Sequence, residues 1–348
     1  MVSFARLQDT SMQKKVERRV RTARGIVMPP LHIETPLIES RALSSCAQRR
    51  VWLKMEALQP PGSFKLRGIG HACQEYVRRG PARFLSSSDG NAGMAVAYAG
   101  RQLGVPVTVV VPETTSDHAR ELLRREAAEV IVHGRSWQEA NTYAQSLINS
   151  NDAFLHPFDD QLLWEGHASM IDEVARAGWR PDAVVLSVGG GGLLCGVVEG
   201  LQRNGWPDTP VIAVETHGTD SLAQSLAAGR RVELPDITSI ATSLGARQVC
   251  ARAFDLAGRH PLISAVVSDK EAVLACLSFL RDHRVLVEPA CGASLALAYQ
   301  RHVALQPFEK VLIIVCGGAT ATIEQLLEWS AQFGVSRNND TTGPVHVS

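Results

Sequence analysis

The chain has 348 residues, of which 45% are hydrophobic, and its 35 basic side chains balance 35 acidic ones. This length and composition predict a globular protein of two domains with a large core. The zero net charge gives no electrostatic basis for nucleic-acid binding, and no apolar run reaches the roughly 20 residues that span a bilayer. The seven cysteines lack Cys-x-x-Cys or zinc-type spacing, which favours a reducing, cytoplasmic compartment over a disulfide framework.

The first 30 residues are more basic than the rest of the chain. They contain seven Lys or Arg residues and two acids, with Met12, Val16 and Val20 at helix-like intervals. Such a segment is typical of a mitochondrial presequence, although no small-residue cleavage signature stands out. A solvated leader helix or a flexible extension explains the same composition. We therefore expect residues 1–30 to form a basic extension, with a mitochondrial presequence as the alternative.

Beyond this extension, strand-like and helical segments alternate, which is typical of α/β proteins. Segments such as Val107–Val111 and Val311–Val315 are apolar at every position, as expected where both faces of a parallel sheet are covered. The predicted strands are Val51–Met55, Arg83–Ser86, Val105–Val111, Glu129–Val132, Ala183–Val188, Val211–Glu215, Ala265–Ser268 and Val311–Val315. The predicted helices are one that begins near Leu66, and Ala92–Leu103, Ala119–Ala127, Trp137–Ile148, Trp164–Arg176, Leu193–Asn204, Lys270–Arg281 and Gly292–Ala304.

The strand–helix rhythm divides the chain into two predicted domains without a clear linker between them. Residues 58–156 predict a small doubly wound domain. It is inserted into a large domain formed by residues 31–57 and 157–334. Residues 335–348 are polar and predict a disordered tail.

The first of four unusual loops contains Lys65. Residues 60–65 (Pro-Pro-Gly-Ser-Phe-Lys) place this lysine at a turn between a predicted strand and a predicted helix. The neighbouring Phe64 and the turn residues favour a desolvated amine with a lowered pKa. A Schiff-base lysine needs this property, because only the neutral amine attacks a carbonyl. The segment alone is not diagnostic, since Pro-Gly-Ser occurs in many ordinary loops.

The second loop, residues 86–93 (Ser-Ser-Ser-Asp-Gly-Asn-Ala-Gly), lies between a strand and a helix. Small hydroxyl groups, an asparagine and free backbone N–H groups at a helix N-terminus suit a carboxylate ligand. Ordinary N-capping requires only one such residue. The number of polar residues here therefore favours a binding site.

The third loop, residues 187–193 (Ser-Val-Gly-Gly-Gly-Gly-Leu), also closes a strand and opens a helix. Successive glycines allow backbone N–H groups to surround an anion at the positive end of the helix. The Gly-Lys-Ser/Thr end of a P-loop is absent, because Leu193 stands there, and Leu194 breaks the dinucleotide fingerprint. A monophosphate therefore fits this loop better than a nucleotide.

The fourth loop, residues 315–320 (Val-Cys-Gly-Gly-Ala-Thr), follows the last apolar strand, where α/β proteins build ligand sites. Cys316 alone is typical of a small core residue. The paired glycines after it indicate that something approaches the backbone closely. A reactive lysine, an anion-binding loop, a carboxylate loop and this strand end together indicate a pyridoxal phosphate enzyme.

The order and content of these loops resemble those of fold-type II pyridoxal phosphate enzymes, specifically the L-serine/L-threonine dehydratase (ammonia-lyase) group of the animal liver type. The resemblance runs from about Leu31 to Gly334. The matching segments are residues 62–65 (Gly-Ser-Phe-Lys), 90–95 (Gly-Asn-Ala-Gly-Met-Ala), 157–160 (Pro-Phe-Asp-Asp), 164–169 (Trp-Glu-Gly-His-Ala-Ser), 187–196 (Ser-Val-Gly-Gly-Gly-Gly-Leu-Leu-Cys-Gly), 287–293 (Val-Glu-Pro-Ala-Cys-Gly-Ala) and 315–318 (Val-Cys-Gly-Gly). The resemblance implies a tryptophan-synthase-β-like α/β fold with two doubly wound parallel-sheet domains, the cofactor in the cleft between them, and a homodimer.

The resemblance also implies residue roles. Lys65 would hold pyridoxal 5′-phosphate as a Schiff base, Phe64 would pack against the pyridine ring, and Asn91 would hydrogen-bond its 3′ oxygen. Cys316 would face the ring nitrogen without fixing a proton there, which makes the ring a weaker electron sink suited to prompt β-elimination. The phosphate would be cradled by Gly189, Gly190, Gly191, Gly192 and Leu193.

The resemblance further implies sites for substrate and for a cation. The substrate carboxylate would be received by Ser88, Gly90 and Asn91. Glu215, with backbone carbonyls around Leu244 and Ala246, matches the site of a monovalent cation such as K⁺. Because Glu215 ends a predicted strand, a structural ion pair is the alternative for its carboxylate.

Asp89 departs from the pattern of the dehydratase group, which has Ala, Gly or Ser at this place. An ionised aspartate would repel the substrate carboxylate unless it is paired or turned away. It either faces outward and caps the helix that starts at Asn91, or serves as a second acid/base, or contacts a cationic or hydroxylated substrate. The turn Ser88-Asp89-Gly90-Asn91 resembles the Thr-Asp-Gly-Asn turn of diaminopropionate ammonia-lyases. Pro61 also replaces the usual Ser or Thr ahead of Gly62.

Together these features predict an enzyme that eliminates the β-hydroxyl of L-serine or L-threonine and yields a 2-oxo acid and ammonia. The freed amine of Lys65 would remove the α-proton. The alternatives are a 2,3-diaminopropionate ammonia-lyase, or an amino-acid racemase or D,L-eliminase that uses Asp89. A non-catalytic cofactor-binding protein is a further alternative, against which the intact Lys65 and Asn91 argue. We expect an amino-acid substrate and neither a nucleic acid nor a membrane as partner.

Overall fold

The computed structural model describes residues 28–334, so residues 1–27 of the predicted extension and the predicted tail lie outside the described residues. Ten strands and twelve α-helices occur in this part of the chain. The strands are β1 (Leu37–Glu39), β2 (Arg50–Lys54), β3 (Arg83–Ser86), β4 (Val107–Val111), β5 (Glu129–Val132), β6 (Asp152–Phe154), β7 (Ala183–Ser187), β8 (Val211–Thr216), β9 (Leu262–Val267) and β10 (Lys310–Ile314). The helices are α1 (Arg41–Ala47), α2 (Lys65–Val77), α3 (Asn91–Leu103), α4 (Asp117–Arg125), α5 (Trp137–Ser146), α6 (Gln161–Arg176), α7 (Gly192–Arg203), α8 (Ser221–Ala228), α9 (Ala251–Ala257), α10 (Asp269–His283), α11 (Pro289–Tyr299) and α12 (Ile323–Gln332).

The strands form two separate sheets. The larger sheet has six strands in the order β1-β2-β10-β7-β8-β9, all parallel except β1, which runs antiparallel to β2. The smaller sheet has four parallel strands in the order β5-β4-β3-β6. The predicted α/β fold with two parallel-sheet domains is confirmed, with an antiparallel edge strand added to the larger sheet.

Each sheet has its own part of the sequence. The smaller sheet uses strands from residues 83–154, and the larger sheet uses strands from residues 37–54 and 183–314. These segments lie inside the ranges predicted for the small and large domains, whose boundaries remain a prediction.

The continuously apolar strands lie at the centres of the sheets, as their pattern predicts. Every side chain of β4 and β7 is buried, because helices cover both faces of a doubly wound sheet. Helix α11 is likewise buried at every position from Pro289 to Ala298, and it lies in the core around the larger sheet. No helix between residues 28 and 334 has the length and apolar character needed to cross a membrane.

Six elements were not predicted from the sequence. Strands β1 and β6 have only three residues each, too few to show a periodic pattern. Helices α1, α8 and α9 have seven or eight residues and interrupt long connections. Helix α12 follows the last ligand loop and begins with a capping box between Thr322 and Gln325.

A buried network of charges joins helix α2 to the larger sheet. The guanidinium of Arg67 donates to the carboxylate of Glu56 at 2.7 and 2.8 Å and to that of Glu173 at 2.6 and 2.7 Å. Lys54, at the end of β2, also donates to Glu173. These four side chains are at most 6% exposed. Burial alone would raise the pKa of Glu173, but hydrogen bonds from Arg67 and Lys54 lower it below its ordinary value.

We expect Arg67→Met to lower the free energy of unfolding by about 3–5 kcal/mol, because it leaves the buried carboxylate of Glu56 without a counter-charge and that of Glu173 with Lys54 alone. Urea unfolding followed by circular dichroism measures the loss. The matched control is Arg50→Met, which breaks an ion pair with Glu39 whose two side chains are 48% and 38% exposed. Equal midpoints for the two variants would contradict a stabilising role for the buried network.

Candidate active site

The loop that contains Lys65 is attached to the loop that contains Cys316. The N–H of Phe64 donates to the carbonyl of Cys316 at 2.9 Å, and the N–H of Gly318 donates to the carbonyl of Gly62 at 3.1 Å. Between these two bonds Ser63 faces Gly317, where an added Cβ would lie 2.6 Å from the Ser63 Cβ. The glycine after Cys316 is therefore needed for the two loops to meet.

The amine of Lys65 lies close to a backbone carbonyl and an aromatic ring. Its Nζ donates to the carbonyl of Pro157 at 2.5 Å and lies 5.2 Å from the centroid of the Phe64 ring. Burial lowers the pKa of Lys65 from 10.5 to about 8, and nearby Cys316 and Glu288 offset only part of this effect. The lowered pKa predicted from the sequence is therefore present, and a sizeable fraction of this amine is neutral near neutral pH.

Asn91 begins helix α3 and points toward a carboxylate of the larger domain. Its Nδ2 donates to Glu288 Oε1 at 2.7 Å, and its Oδ1 is buried without a hydrogen-bond partner among residues 28–334. Glu288 precedes helix α11 and is 5% exposed, and burial raises its pKa despite the hydrogen bond from Asn91. The hydrogen bond between Asn91 and Glu288 thus connects the second loop to a carboxylate close to Lys65.

The glycine loop is built so that no side chain fits on its inner face. An added Cβ would lie 2.8 Å from Leu244 Cα at Gly189 and 2.2 Å from the Phe158 ring at Gly190. At Gly191 the φ angle is +92°, a conformation that favours glycine. Within residues 28–334 the backbone N–H groups of Gly189 to Gly192 have no acceptor, and they precede helix α7. Such a row of free donors at a helix N-terminus suits an anion.

Cys316 and Phe64 both lie close to the Lys65 amine. Cys316 is 5% exposed, and the pKa of its thiol is raised well above its ordinary value by a hydrogen bond with Cys291 and by burial. It is therefore a neutral thiol. Phe64 is 9% exposed and its ring packs 4.9 Å from that of His167. Leu193, the second residue of α7, is buried behind the glycine loop.

The structure of the carboxylate loop, residues 86–93, contradicts the interpretation of Asp89 as a helix cap. The N-cap of helix α3 is Gly90 and no side chain caps this helix, so Asp89 is not the helix cap. Instead Asp89 Oδ2 accepts a hydrogen bond from Thr115 Oγ1 at 2.8 Å, and the side chain remains partly exposed. The Oγ of Ser88 accepts the N–H of Gly90 at 3.4 Å, and an added Cβ at Gly90 would point into open space. This loop therefore leaves room beside residues 88–91.

Glu215 lies apart from these loops, near the end of β8. Its two carboxylate oxygens accept the N–H groups of Leu222 and Ala223, each at 2.8 Å, so no ion pair explains its burial. Burial raises the pKa of Glu215 to about 8. The neighbouring Ser221 is fully buried, and its Oγ has no partner within the described chain. The structure provides no contact between Glu215 and Lys65.

The residues present fit pyridoxal phosphate by several observations. The glycine loop offers free N–H donors, and buried oxygen atoms of Ser63, Asn91 and Ser187 have no partner within residues 28–334. Buried polar atoms of this kind are ordinarily satisfied, so a polar ligand that reaches them accounts for their placement. Within the same residues, no cluster of three or more His, Cys, Asp or Glu could hold a metal ion.

Sequence reasoning assigned no role to Glu288, Ser221 and Phe158. Glu288 stands directly before Pro289 at a helix start, where an acid is more often a solvated capping residue. Ser221 is one of many serines, and only its burial without a partner distinguishes it. Phe158 was part of a matching segment, but its packing against the glycine loop depends on contacts far apart in sequence.

Comparison with known proteins agrees with this geometry. The family model for pyridoxal-phosphate dependent enzymes matches residues 28–317. The L-serine dehydratase/L-threonine deaminase of Homo sapiens is 49% identical over 318 residues, covering 88% of this chain and 97% of that protein. The L-serine dehydratase of Dictyostelium discoideum is 42% identical over 319 residues, covering 86% and 91%.

A solved structure shows the same fold. The crystal structure of the fungal L-serine ammonia-lyase from Rhizomucor miehei has a TM-score of 0.83 and 36% sequence identity, and the match covers 87% of this chain and 99% of that one. The chain therefore belongs to the pyridoxal-phosphate dependent enzymes, in the family that includes the L-serine dehydratase/L-threonine deaminases.

Proposed function

We propose that this protein is a pyridoxal-phosphate-dependent ammonia-lyase that converts L-serine or L-threonine to a 2-oxo acid and ammonia. The observation that carries the proposal is the desolvated Lys65 amine, which is close to Cys316 and Glu288 and donates to Pro157, the residue before the Phe158 ring that packs against the glycine loop. Asn91 is bonded to the same Glu288. The names of the relatives support the same reaction and substrates.

Different residues of the candidate site would bind different parts of the cofactor. The N–H groups from Gly189 to Gly192, with Leu193, hold the cofactor phosphate at the start of α7. One N–H of the Asn91 amide donates to Glu288, and the second N–H is available for the 3′ oxygen of the cofactor. Phe64 would pack against the ring, and the neutral Cys316 thiol would face the ring nitrogen without fixing a proton there.

Lys65 performs the proton transfer. The bound cofactor supplies an electron sink for the electrons left when the substrate α-proton departs. With the cofactor bound, the neutral Nζ of Lys65 would accept this proton, for which a pKa of about 8 is well matched. Ser88, Gly90 and Asn91 orient the substrate carboxylate, and the open space at Gly90 admits it.

The second candidate is a 2,3-diaminopropionate ammonia-lyase, or a racemase or D,L-eliminase, in which Asp89 takes part. The partly exposed Asp89 favours this candidate, because its carboxylate accepts a hydrogen bond from Thr115 and does not cap the helix. A carboxylate held beside residues 88–91 could attract a cationic side chain of the substrate or exchange a proton with it.

Two buried side chains apart from the Lys65 loop, those of Glu215 and Ser221, support a monovalent-cation site. Glu215 is buried without a cationic partner, and the Oγ of Ser221 has no hydrogen-bond donor within residues 28–334. The Leu244 backbone packs against Gly189, so a K⁺ ion bound by these oxygens and by carbonyls near Leu244 and Ala246 would support the glycine loop.

Four further proposals rest on the family resemblance, the composition and the strand–helix rhythm of the sequence. The protein forms a homodimer and binds no nucleic acid. It works in the cytoplasm, unless residues 1–30 direct it to mitochondria. Its large domain comprises residues 31–57 and 157–334, and its small domain comprises residues 58–156.

The Lys65 amine is expected to react with pyridoxal phosphate with a pH midpoint near 8. The pKa of about 8 leaves about a tenth of the amine neutral at pH 7, against roughly one part in 3,000 for an amine of pKa 10.5. Uptake by the apoprotein, trapped with borohydride and quantified by mass, therefore rises with pH and levels off above the midpoint. Nα-acetyl-lysine is the reference amine. Identical profiles for protein and reference would rule out a desolvated Lys65.

The loaded protein is expected to release 2-oxo acid from L-serine and L-threonine much faster than from L-2,3-diaminopropionate. Lys65→Ala should abolish turnover, because no other amine replaces the proton acceptor, whereas the exposed Lys270→Ala should retain it. Full activity of Lys65→Ala would refute the mechanism. Faster turnover of diaminopropionate, lost in Asp89→Ala, would instead establish the second candidate. An unchanged substrate profile in Asp89→Ala would exclude a role for this carboxylate in specificity.

Potassium is expected to raise the melting temperature relative to tetramethylammonium at equal ionic strength. A site filled at tenfold its dissociation constant adds about 1.4 kcal/mol to the stability of the native state. Ser221→Ala should lose most of the difference, and Ser294→Ala, a buried serine bonded to the Cys291 carbonyl, should keep it. The same potassium effect in both variants would argue against this site.

A further inference from the structure

Two buried thiols lie in contact behind the glycine loop. The sulfur atoms of Cys195 and Cys250 are 4.0 Å apart, although 55 positions separate them in the sequence. Their side chains are 2% and 3% exposed. Cys195 lies in the first turn of helix α7, and Cys250 directly precedes helix α9.

Both cysteines are tied to the loop that would hold the cofactor phosphate. The N–H of Cys250 donates to the carbonyl of Gly190 at 3.0 Å, and the N–H of Cys195 donates to that of Gly191 at 3.0 Å. A Cβ added to Gly191 would lie 3.4 Å from the Cys250 sulfur and 2.4 Å from the Ala253 Cβ. The loop therefore has no spare space on the side of the thiols.

The two thiols differ in their tendency to ionise. A hydrogen bond with Cys195 and one from the N–H of Ala253 lower the pKa of Cys250, whereas the bond with Cys250 and burial raise the pKa of Cys195. Either sulfur can be the donor of the bond between the two thiols. The pKa values of Cys46, Cys73, Cys276 and Cys316 are also raised. Cys250 is therefore favoured as the nucleophile in an oxidation.

We propose that Cys195 and Cys250 are an oxidisable thiol pair, whose disulfide distorts the glycine loop and weakens the binding of pyridoxal phosphate. The second half of this statement rests on the proposed role of the loop as the phosphate site. The oxidant is a peroxide that enters through the cleft, where Gly189 and Gly190 are partly exposed.

The reaction balances with hydrogen peroxide as the oxidant. The Cys250 thiolate attacks one peroxide oxygen, the O–O bond breaks, and the departing hydroxide takes up the thiol proton as water. The Cys195 sulfur then attacks the resulting sulfenic acid, forms the S–S bond and releases a second water. The two thiols lose two electrons and two protons, and peroxide is reduced to two waters.

The new bond must move the loop or the helices beside it. A disulfide holds its sulfur atoms about 2.05 Å apart, so the pair at 4.0 Å must approach by about 2 Å. Because the N–H groups of both cysteines bond to carbonyls of the glycine loop, this approach pulls on Gly190 and Gly191. Free N–H donors that converge on a phosphate lose their geometry under small displacements.

The test uses the full-length protein with bound pyridoxal phosphate, treated with hydrogen peroxide and then filtered. Intact mass should fall by two hydrogens, a non-reducing peptide map should link Cys195 to Cys250, and dithiothreitol should reverse both. Cofactor retention should fall by about tenfold, which corresponds to about 1.4 kcal/mol of binding free energy. Cys195→Ala and Cys250→Ala should each abolish the two-hydrogen loss. The control, Cys46→Ala, removes a more exposed thiol outside the pair and should respond like the unaltered protein.

Three outcomes would overturn the proposal. The pair is only a packing contact if peroxide produces no Cys195–Cys250 link, or if Cys250→Ala still loses two hydrogens. The link has no effect on the loop if it forms while cofactor retention stays constant. Failure of the reduced protein to bind pyridoxal phosphate would defeat the second half of the proposal and the proposed function together. A link with cofactor release, but without turnover of serine, would refute the proposed reaction alone.

Discussion

The carboxylates of Glu56 and Glu173 bind Arg67 in a place without access to water, two residues after Lys65 on helix α2. Apolar side chains of this helix, such as Leu66, belong to the core under the smaller sheet. The carboxylates belong instead to the short turn after β2, which contains Glu56, and to α6, which contains Glu173. Because a buried charge that loses its partner is very unfavourable, the network fixes the helix that bears Lys65 against the larger sheet. The position of the reactive amine therefore depends on ion pairs that take no part in the chemistry.

Burial has opposite consequences for these two neighbouring cations. Arg67 makes hydrogen bonds to two carboxylates, and these hold its charge despite the loss of water. Lys65 donates to a neutral carbonyl, and Glu288 and Cys316 act on it only through space, so the loss of water prevails and its pKa falls. The two carboxylates bonded to Arg67, which Lys65 lacks, thus account for the opposite effects of burial on these two side chains.

The sequence predicted those features that depend on neighbouring residues. Continuous apolar segments located the central strands. The glycine loop indicated an anion site, because four adjacent glycines are entropically costly in an ordinary turn. Glu288 and Ser221 escaped prediction, since their roles arise from burial and from partners distant in sequence. Strand β6 was missed because three residues show no period, whereas the capping box that begins α12 was a local signal available in the sequence.

The candidate site has one part on each sheet, and the two parts meet through the hydrogen bond between Asn91 and Glu288. The glycine loop and Cys316 follow strands of the larger sheet, where the backbone is fixed by neighbouring strands and helices. Asp89 lies in the loop that follows β3, and it accepts a hydrogen bond from Thr115, in the loop that follows β4 of the same sheet. We therefore expect a change at position 89 to leave the glycine loop and Cys316 in place. Under the proposed function, the carboxylate loop would then vary without displacing these two parts of the cofactor site.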